Sequence, residues 1–179
     1  MGEGKVNYGK LSDYLAKKQC FIQISSQNDC CAKAIVTAKA VIDNHSKKKA
    51  IRQGRAIQEL LALQLMRDAN VTPGTVCGRE EFQKFQHVLS DYDIIVISRD
   101  FMNCIIYRGN DESDKQIILY HAENHFSVIT KMTAFLNKSY VCQKCLVGFN
   151  NPGSHVCPVS CIYLQVKQIV YRRGTKTLQ

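Results

Sequence analysis

Five cysteine and histidine residues near the carboxyl-terminal end of the chain have the types and spacing of a zinc site. Cys142 and Cys145 are separated by two residues, so a tight turn can present both thiolates to one tetrahedral ion. Nine residues separate Cys145 from His155, the first of three further candidate ligands. The second pair is one of three: His155 with Cys161, Cys157 with Cys161, or His155 with Cys157. Because protein ligands would fill all four positions, we predict a structural Zn²⁺ that folds this segment and takes no part in catalysis.

A second candidate site pairs Cys30 with His125. Cys30 begins a predicted helix directly after a polar turn, and the positive end of a helix lowers the pKa of a thiol and favours the nucleophilic thiolate. His125 stands at the entrance to an apolar run, where an imidazole can act as general base, and His121 is the alternative base. A cysteine at a helix start and a histidine at a sheet edge form the arrangement of a cysteine protease. We expect backbone amides from Asn28 to Cys30 to stabilise the oxyanion, and Cys31 to be buried.

The composition indicates a globular, positively charged protein. The 179 residues are 45% hydrophobic and 22% charged, and 24 Lys and Arg against 15 Asp and Glu leave a net charge of 24 − 15 = +9. No apolar run reaches the ~20 residues of a membrane span, and the first ten residues are polar. Nine cysteines without a signal segment indicate a reducing compartment, so we predict a cytoplasmic or nuclear protein. The charge favours an anionic partner, such as nucleic acid bound by the basic region after residue 138.

Helical patterns precede strand patterns along the chain. Apolar residues recur at helical spacing in three segments: 30–43, a stretch interrupted at Gly54 that ends near residue 70, and 80–89. Short β-branched runs are found mostly after these helices, at 20–24, 93–98, 103–107, 116–121 and 126–130. This order predicts an α+β domain with an antiparallel sheet.

The residues around Cys30 resemble the nucleophile segment of the ovarian-tumour (OTU) family of deubiquitinating cysteine proteases. That family has Asp-Gly-Asn-Cys-Leu-Phe-Arg-Ala-Leu or a close variant, and this chain has Asn-Asp-Cys-Cys-Ala-Lys-Ala-Ile at residues 28–35. His125, followed by phenylalanine, is similar to the family's His-Tyr or His-Phe step. The resemblance implies a papain-like, OTU-like fold with Cys30 as nucleophile and His125 as base. The third catalytic residue stays open between Asn124 and Ser127, since Ser127 stands where the family often has asparagine or aspartate.

Residues 28–161 are also similar to the segment that precedes the polymerase core in family B DNA polymerases of Maverick/Polinton-type mobile elements and related viruses. The similarity is carried by Phe-Gln-x-x-Leu at 85–89, His-Phe-x-Val-Ile-x-x-Met-x-x-Phe-Leu at 125–136, and Tyr140 two residues before the first zinc-type cysteine. It implies a protein encoded by such an element. The sequence contains no polymerase motif, so polymerase activity is not predicted.

These features together predict a thiol-dependent deubiquitinase that hydrolyses peptide or isopeptide bonds to ubiquitin or a ubiquitin-like protein. The alternative is a non-catalytic, zinc-stabilised module of the same origin that binds nucleic acid or ubiquitin. We divide the chain into four parts: an amino-terminal arm (1–19), an OTU-like domain (20–137), a zinc knuckle (138–165) and a basic flexible tail (166–179).

Overall fold

The computed structural model describes residues 19–26 and 28–157 of the chain. The predicted tail, nearly all of the predicted arm, Gln27 and the candidate ligand Cys161 lie outside the described residues. Five helices are described: α1 Cys30–Ile42, α2 Lys48–Arg52, α3 Ala56–Asp68, α4 Arg79–Val88 and α5 Met132–Leu136. Seven strands are described: β1 Phe21–Gln23, β2 Asp93–Ser98, β3 Cys104–Arg108, β4 Gln116–Ala122, β5 His125–Ile129, β6 Tyr140–Val141 and β7 Gly148–Phe149. None of the described helices has both the length and the apolar character needed to cross a membrane.

The main sheet has five strands in the order β1-β5-β4-β2-β3. Neighbouring strands run antiparallel except β2 and β4, which are parallel. The prediction of a wholly antiparallel sheet is therefore wrong for this pair. The reason lies in the connection 109–115, which leaves β3 at one edge of β2 and crosses to the other edge before β4 begins. Asp93 holds this crossing, since its carboxylate accepts the Asn110 N–H at 3.1 Å and its own N–H donates to the Lys115 carbonyl at 3.0 Å.

The core divides between the two faces of the sheet. On one face, α1 packs against the side chains of Phe126 and Val128 from β5, and the alanine-rich sequence of α1 lets the helix approach closely. On the other face, a smaller cluster forms around Phe21, Tyr120 and Phe135, whose rings meet edge to face at 5.3–5.8 Å. Both faces of the sheet are thus buried, which explains why every residue of β2 is buried.

Gln86 joins α4 to the sheet. Its Nε2 donates to the carbonyls of Leu89 at 3.1 Å and Tyr92 at 2.7 Å, and its Oε1 accepts the Ile94 N–H at 3.0 Å. Gly109 lies so close to this side chain that a Cβ there would be 1.8 Å from the Gln86 Oε1. The Phe-Gln-x-x-Leu pattern seen in the sequence therefore has a structural role, because its glutamine satisfies three main-chain groups where the helix meets β2.

Candidate functional site

A tight hairpin and a helix start position the two predicted catalytic residues. His125 begins β5 and pairs with Ala122 across a two-residue turn of Glu123 and Asn124, whose φ values of 53° and 58° are typical of a type I′ hairpin. Cys30 begins α1 directly after Asp29, whose φ is 55°. The Asp29 carboxylate accepts the main-chain N–H of Gly74 at 2.7 Å, which ties the start of α1 to the loop before α4.

The Cys30 sulfur lies beside the main chain of β5. Amide N–H groups of Phe126, Cys31 and Cys30 itself point at the thiol. Because Phe126 directly follows His125, this contact brings the predicted nucleophile next to the backbone that carries the predicted base. Cys31 is 2% exposed, so the prediction that it is buried is confirmed.

The thiol of Cys30 is covered in this conformation, with only 6% of the residue exposed. Burial raises the pKa of Cys30, and the nearby Cys77 adds to the rise, while the amide N–H groups oppose it. This net direction is opposite to the expectation that the helix start alone would lower the pKa. The raised pKa favours the protonated thiol, so Cys30 needs a base before it can attack a substrate.

The His125 imidazole carries an unsatisfied buried atom. Its Nδ1 is the one buried side-chain polar atom without a hydrogen-bond partner in the part of the chain that the structure describes. The other predicted site residues do not supply a partner. Ser127 lies between Gln23 and Tyr120 in the sheet register, Asn124 is exposed in the turn, and Asn28 accepts a hydrogen bond from Ser26 at 3.0 Å through its main-chain carbonyl. Within the described residues, none of them orients the ring.

A second histidine lies at the carboxyl ends of the parallel strands. The Nδ1 of His121 is 3.3 Å from the Ser98 Oγ and 3.6 Å from the Asp100 carboxylate, and its ring lies 4.8 Å from the ring of Phe126. Burial lowers the pKa of His121, as does the nearby His125, whereas Asp100 opposes the shift. Sequence reasoning missed Ser98 and Asp100 here, because only the parallel pairing of β2 with β4 places Ser98 opposite His121.

The candidate metal ligands converge at the end of the described chain. One ligand atom from each of Cys142, Cys145, His155 and Cys157 lies within 4.8 Å of all the others. Of the three pairings that the sequence allows, the described residues therefore assemble His155 with Cys157. This set can hold a metal ion, since three sulfur atoms and one imidazole suit a tetrahedral Zn²⁺.

A short hairpin of β6 and β7 shapes this cluster. The Cys142 N–H donates to the Val147 carbonyl at 3.0 Å, and the Leu146 N–H donates back to the Cys142 carbonyl at 2.8 Å, with Leu146 at a φ of 56°. Burial raises the pKa of Cys142, but amide N–H groups of Cys145 and Lys144 outweigh it and lower the pKa to about 6. The turn is thus arranged to hold a thiolate, which is the form that ligates a metal.

Aromatic rings hold the histidine ligand in place. The His155 ring stacks on Phe149 with centroids 5.0 Å apart, and Phe149 stacks on Tyr140 at 5.7 Å. The His155 Nε2 lies 3.2 Å from the Cys145 sulfur. The imidazole is therefore already oriented towards the thiols. This favours metal binding, because less conformational freedom of His155 has to be lost when the ion binds.

The knuckle is attached to the sheet by hydrogen bonds to its main chain. The Arg108 guanidinium donates to the carbonyls of Gln143, at 3.3 Å, and Lys144, and the Gln116 side chain donates to the Gln143 carbonyl at 2.8 Å. A groove of about 1130 Å³ lies alongside, between α4, the connection after β3 and the knuckle. Cys30 and His125 do not line this groove, so it is separate from the thiol site.

Comparisons with known proteins found no match, so both sites are assigned from their geometry. No protein-family model, no curated protein and no solved structure matches the chain. What the described residues establish is a mixed α+β fold with a five-stranded sheet, a buried thiol beside a histidine-bearing strand, and a cysteine and histidine cluster able to hold a metal ion.

Proposed function

We propose that the chain is a thiol hydrolase in which Cys30 is the nucleophile and His125 is the general base. The observation that carries the proposal is the contact between the Cys30 sulfur and the amide N–H of Phe126, the residue that directly follows His125. The imidazole of His125 has a buried Nδ1 that lacks a hydrogen-bond partner among the described residues. A buried nitrogen without a protein partner costs free energy, and a catalytic role is one explanation for its presence. Catalytic hydrogen bonds often form or shorten only when substrate binds, so the proposal does not require a hydrogen bond between His125 and the Cys30 thiol at rest.

The proposed reaction begins at the Cys30 thiol, whose raised pKa favours the protonated form. His125 removes the proton from the Cys30 thiol, and the resulting thiolate attacks the carbonyl carbon of the substrate, forming a carbon–sulfur bond. Amide N–H groups at the start of α1 stabilise the oxyanion, a contribution of roughly 2.7 to 4 kcal/mol per donor. The imidazolium returns its proton to the departing amine as the carbon–nitrogen bond breaks. Water, deprotonated by the same imidazole, then hydrolyses the thioester and regenerates the Cys30 thiol.

We propose a papain-like, OTU-like architecture and a substrate joined to ubiquitin or a ubiquitin-like protein. The support is the resemblance of residues 28–35 to the OTU nucleophile segment, together with the positions of its parts, since Cys30 begins α1 and His125 begins β5. Contact between α1 and β5 gives the helix-on-sheet arrangement that a cysteine protease needs. The missing orienting residue is tolerable, because histidine alone can serve as the base at reduced rate.

A covalent ubiquitin probe tests this proposal. Incubation of the protein with ubiquitin propargylamide should add one ubiquitin to the chain, detected by intact mass and located at Cys30 by peptide mapping. The Cys30→Ala variant should lose the adduct, while Cys104→Ala, which removes an exposed thiol in β3, should keep it. Labelling that persists in Cys30→Ala would show that another residue is the nucleophile. Binding of ubiquitin without labelling would favour the non-catalytic module instead.

We further propose that the cluster of Cys142, Cys145, His155 and Cys157 holds zinc in a structural role. Four protein ligands leave no open position for substrate, and sulfur and imidazole ligands at this spacing are those of zinc knuckles. The ion would stabilise the β6–β7 hairpin, which by itself is too short to fold. Binding of a structural zinc contributes roughly 10 to 16 kcal/mol of apparent free energy near neutral pH, so the knuckle should depend on it.

A further inference from the structure

Five cations are concentrated on one exposed segment between α1 and α3. These five cations, which we call the α2 cationic surface, lie within the nine consecutive positions 47–55, and all are exposed: Lys47, Lys48, Lys49, Arg52 and Arg55. No acidic residue occurs from residue 44 to residue 58. This surface is distinct from the basic region after residue 138, for which the sequence predicts binding to nucleic acid.

The acidic residues that flank the α2 cationic surface are engaged elsewhere. Asp43 accepts hydrogen bonds from Lys39 at 2.7 Å and from the Tyr92 hydroxyl at 2.6 Å. Glu59 faces Lys33, with the charged atoms 3.9 Å apart. Among the described residues, no ion pair involves any of the five cations. Their charge is therefore not neutralised within this part of the protein and produces a positive potential over α2.

The segment that presents these cations is firmly held. Ile51 is fully buried, and its carbonyl accepts a hydrogen bond from the Gln58 side chain at 3.0 Å. The same Gln58 nitrogen donates to the Thr37 hydroxyl at 3.0 Å, which links α2 to α1 and α3. The backbone of α2 is thus ordered before any ligand arrives, so binding pays no cost of ordering this segment.

We propose that the α2 cationic surface binds the phosphate backbone of a nucleic-acid duplex without reading its sequence. Phosphate contacts by lysine and arginine supply most sequence-independent affinity for nucleic acid. The apolar side chains within residues 47–55 are Ala50, which is half-buried, and Ile51, which is buried, so the surface lacks the apolar centre of a protein interface. It also has no tyrosine, phenylalanine or tryptophan on which unpaired bases could stack, which favours a duplex over a single strand. This inference does not depend on the hydrolase proposal.

Salt-dependent binding to a labelled DNA duplex tests the proposal with the full chain. Fluorescence anisotropy with a duplex of about 20 base pairs, measured from about 50 to 200 mM salt, gives the slope of log K against log salt concentration. Replacing Lys48, Lys49 and Arg52 with glutamine should reduce the magnitude of that slope by about 2 to 3, because each lost phosphate contact accounts for about 0.9. Affinity at the lowest salt should fall at least about tenfold, given the loss of three phosphate contacts.

A control with the same change in net charge separates the surface from the overall charge. Arg67, Lys84 and Lys131 are exposed outside the α2 cationic surface, and their joint replacement with glutamine should change the affinity by less than about threefold. Circular dichroism should show both variants folded, and Lys48→Gln alone should still lower the slope by about 1. Equal losses in the two triple variants, or no binding of wild type at the lowest salt, would overturn the proposal. So would binding of labelled polyglutamate as tight as binding of the duplex.

Discussion

Arg108 and Asp93 form a buried ion pair at the start of β2, which lies between β4 and β3 in the sheet. The Arg108 Nε lies 2.8 Å from the Asp93 Oδ2, and the side chains are 10% and 0% exposed. The same guanidinium reaches the main chain of the knuckle at Gln143 and Lys144. Burial raises the pKa of Asp93, whereas Arg108 opposes that rise. One side chain thus neutralises a buried carboxylate and attaches the candidate metal site to the main sheet.

Loss of the Arg108 side chain should therefore lower the free energy of unfolding. Arg108→Ala leaves the Asp93 carboxylate buried without its cation, and breaking such a pair typically lowers the free energy of unfolding by about 3 to 5 kcal/mol. Urea denaturation followed by circular dichroism measures this change. The control is Lys115→Ala. The Lys115 side chain is 54% exposed and its ammonium lies 3.6 Å from the Asp43 carboxylate. Its loss should lower the free energy of unfolding by less than about 1 kcal/mol. Similar losses in both variants would show that the buried pair adds no special stability.

Gly109 should not tolerate a side chain. Gly109→Ala forces a Cβ against Gln86, whose side chain cannot move without giving up three main-chain hydrogen bonds. We expect a loss of about 1 to 3 kcal/mol in the free energy of unfolding, as for other overpacked sites. Gly153→Ala is the matched control, because a Cβ there meets nothing within 4 Å. If both variants unfold at the same urea concentration as wild type, the close approach of Gly109 to Gln86 is not rigid.

Substitutions of His125 and His121 should differ in their effect on catalysis. If His125 is the base, His125→Gln should lower kcat/KM for a fluorogenic ubiquitin substrate by about 100-fold or more. His121→Gln preserves the β4–β5 hairpin and should cost less than about tenfold, since His121 hydrogen-bonds Ser98 and not the thiol. The reverse order of effects would assign the base to His121.

His121 should make stability depend on pH in the weakly acidic range. Because burial lowers the pKa of His121 below its ordinary 6.5, the unfolded chain binds this proton more readily than the folded protein. The free energy of unfolding should therefore fall as the pH drops below about 6.5. Denaturation at about pH 7.5 and about pH 5.5 should show a larger loss in wild type than in His121→Gln, which cannot take up the proton. Equal losses would contradict a neutral His121 in the native state.

Metal content should identify the fourth ligand of the knuckle. Purified protein should contain one zinc per chain by mass spectrometry, and Cys157→Ser should reduce that content sharply, because the described cluster includes its sulfur. Cys161→Ser should keep full zinc content. Chelation should lower the thermal stability of wild type, since the β6–β7 hairpin loses its support. Full zinc content in Cys157→Ser together with loss in Cys161→Ser would show that Cys161 replaces Cys157.

Much of the local structure could be predicted from residue patterns. The helix predicted at 30–43 is α1 Cys30–Ile42, and the strand predicted at 93–98 matches β2. The interruption expected at Gly54 separates α2 from α3, with Gly54 at a φ of 70°. Periodicity and turn chemistry act over a few residues, so the chain order alone is enough to show them.

The sequence by itself determined the local elements, the cysteine spacing of the knuckle, and the placement of Cys30 at a helix start. Only the tertiary structure decided that β4 runs parallel to β2, that His155 meets Cys157, and that burial outweighs the helix start in setting the pKa of Cys30. The physical reason is distance along the chain. Strand order and desolvation depend on which remote segments pack together, and Cys30 acquires its environment from β5, almost a hundred residues later.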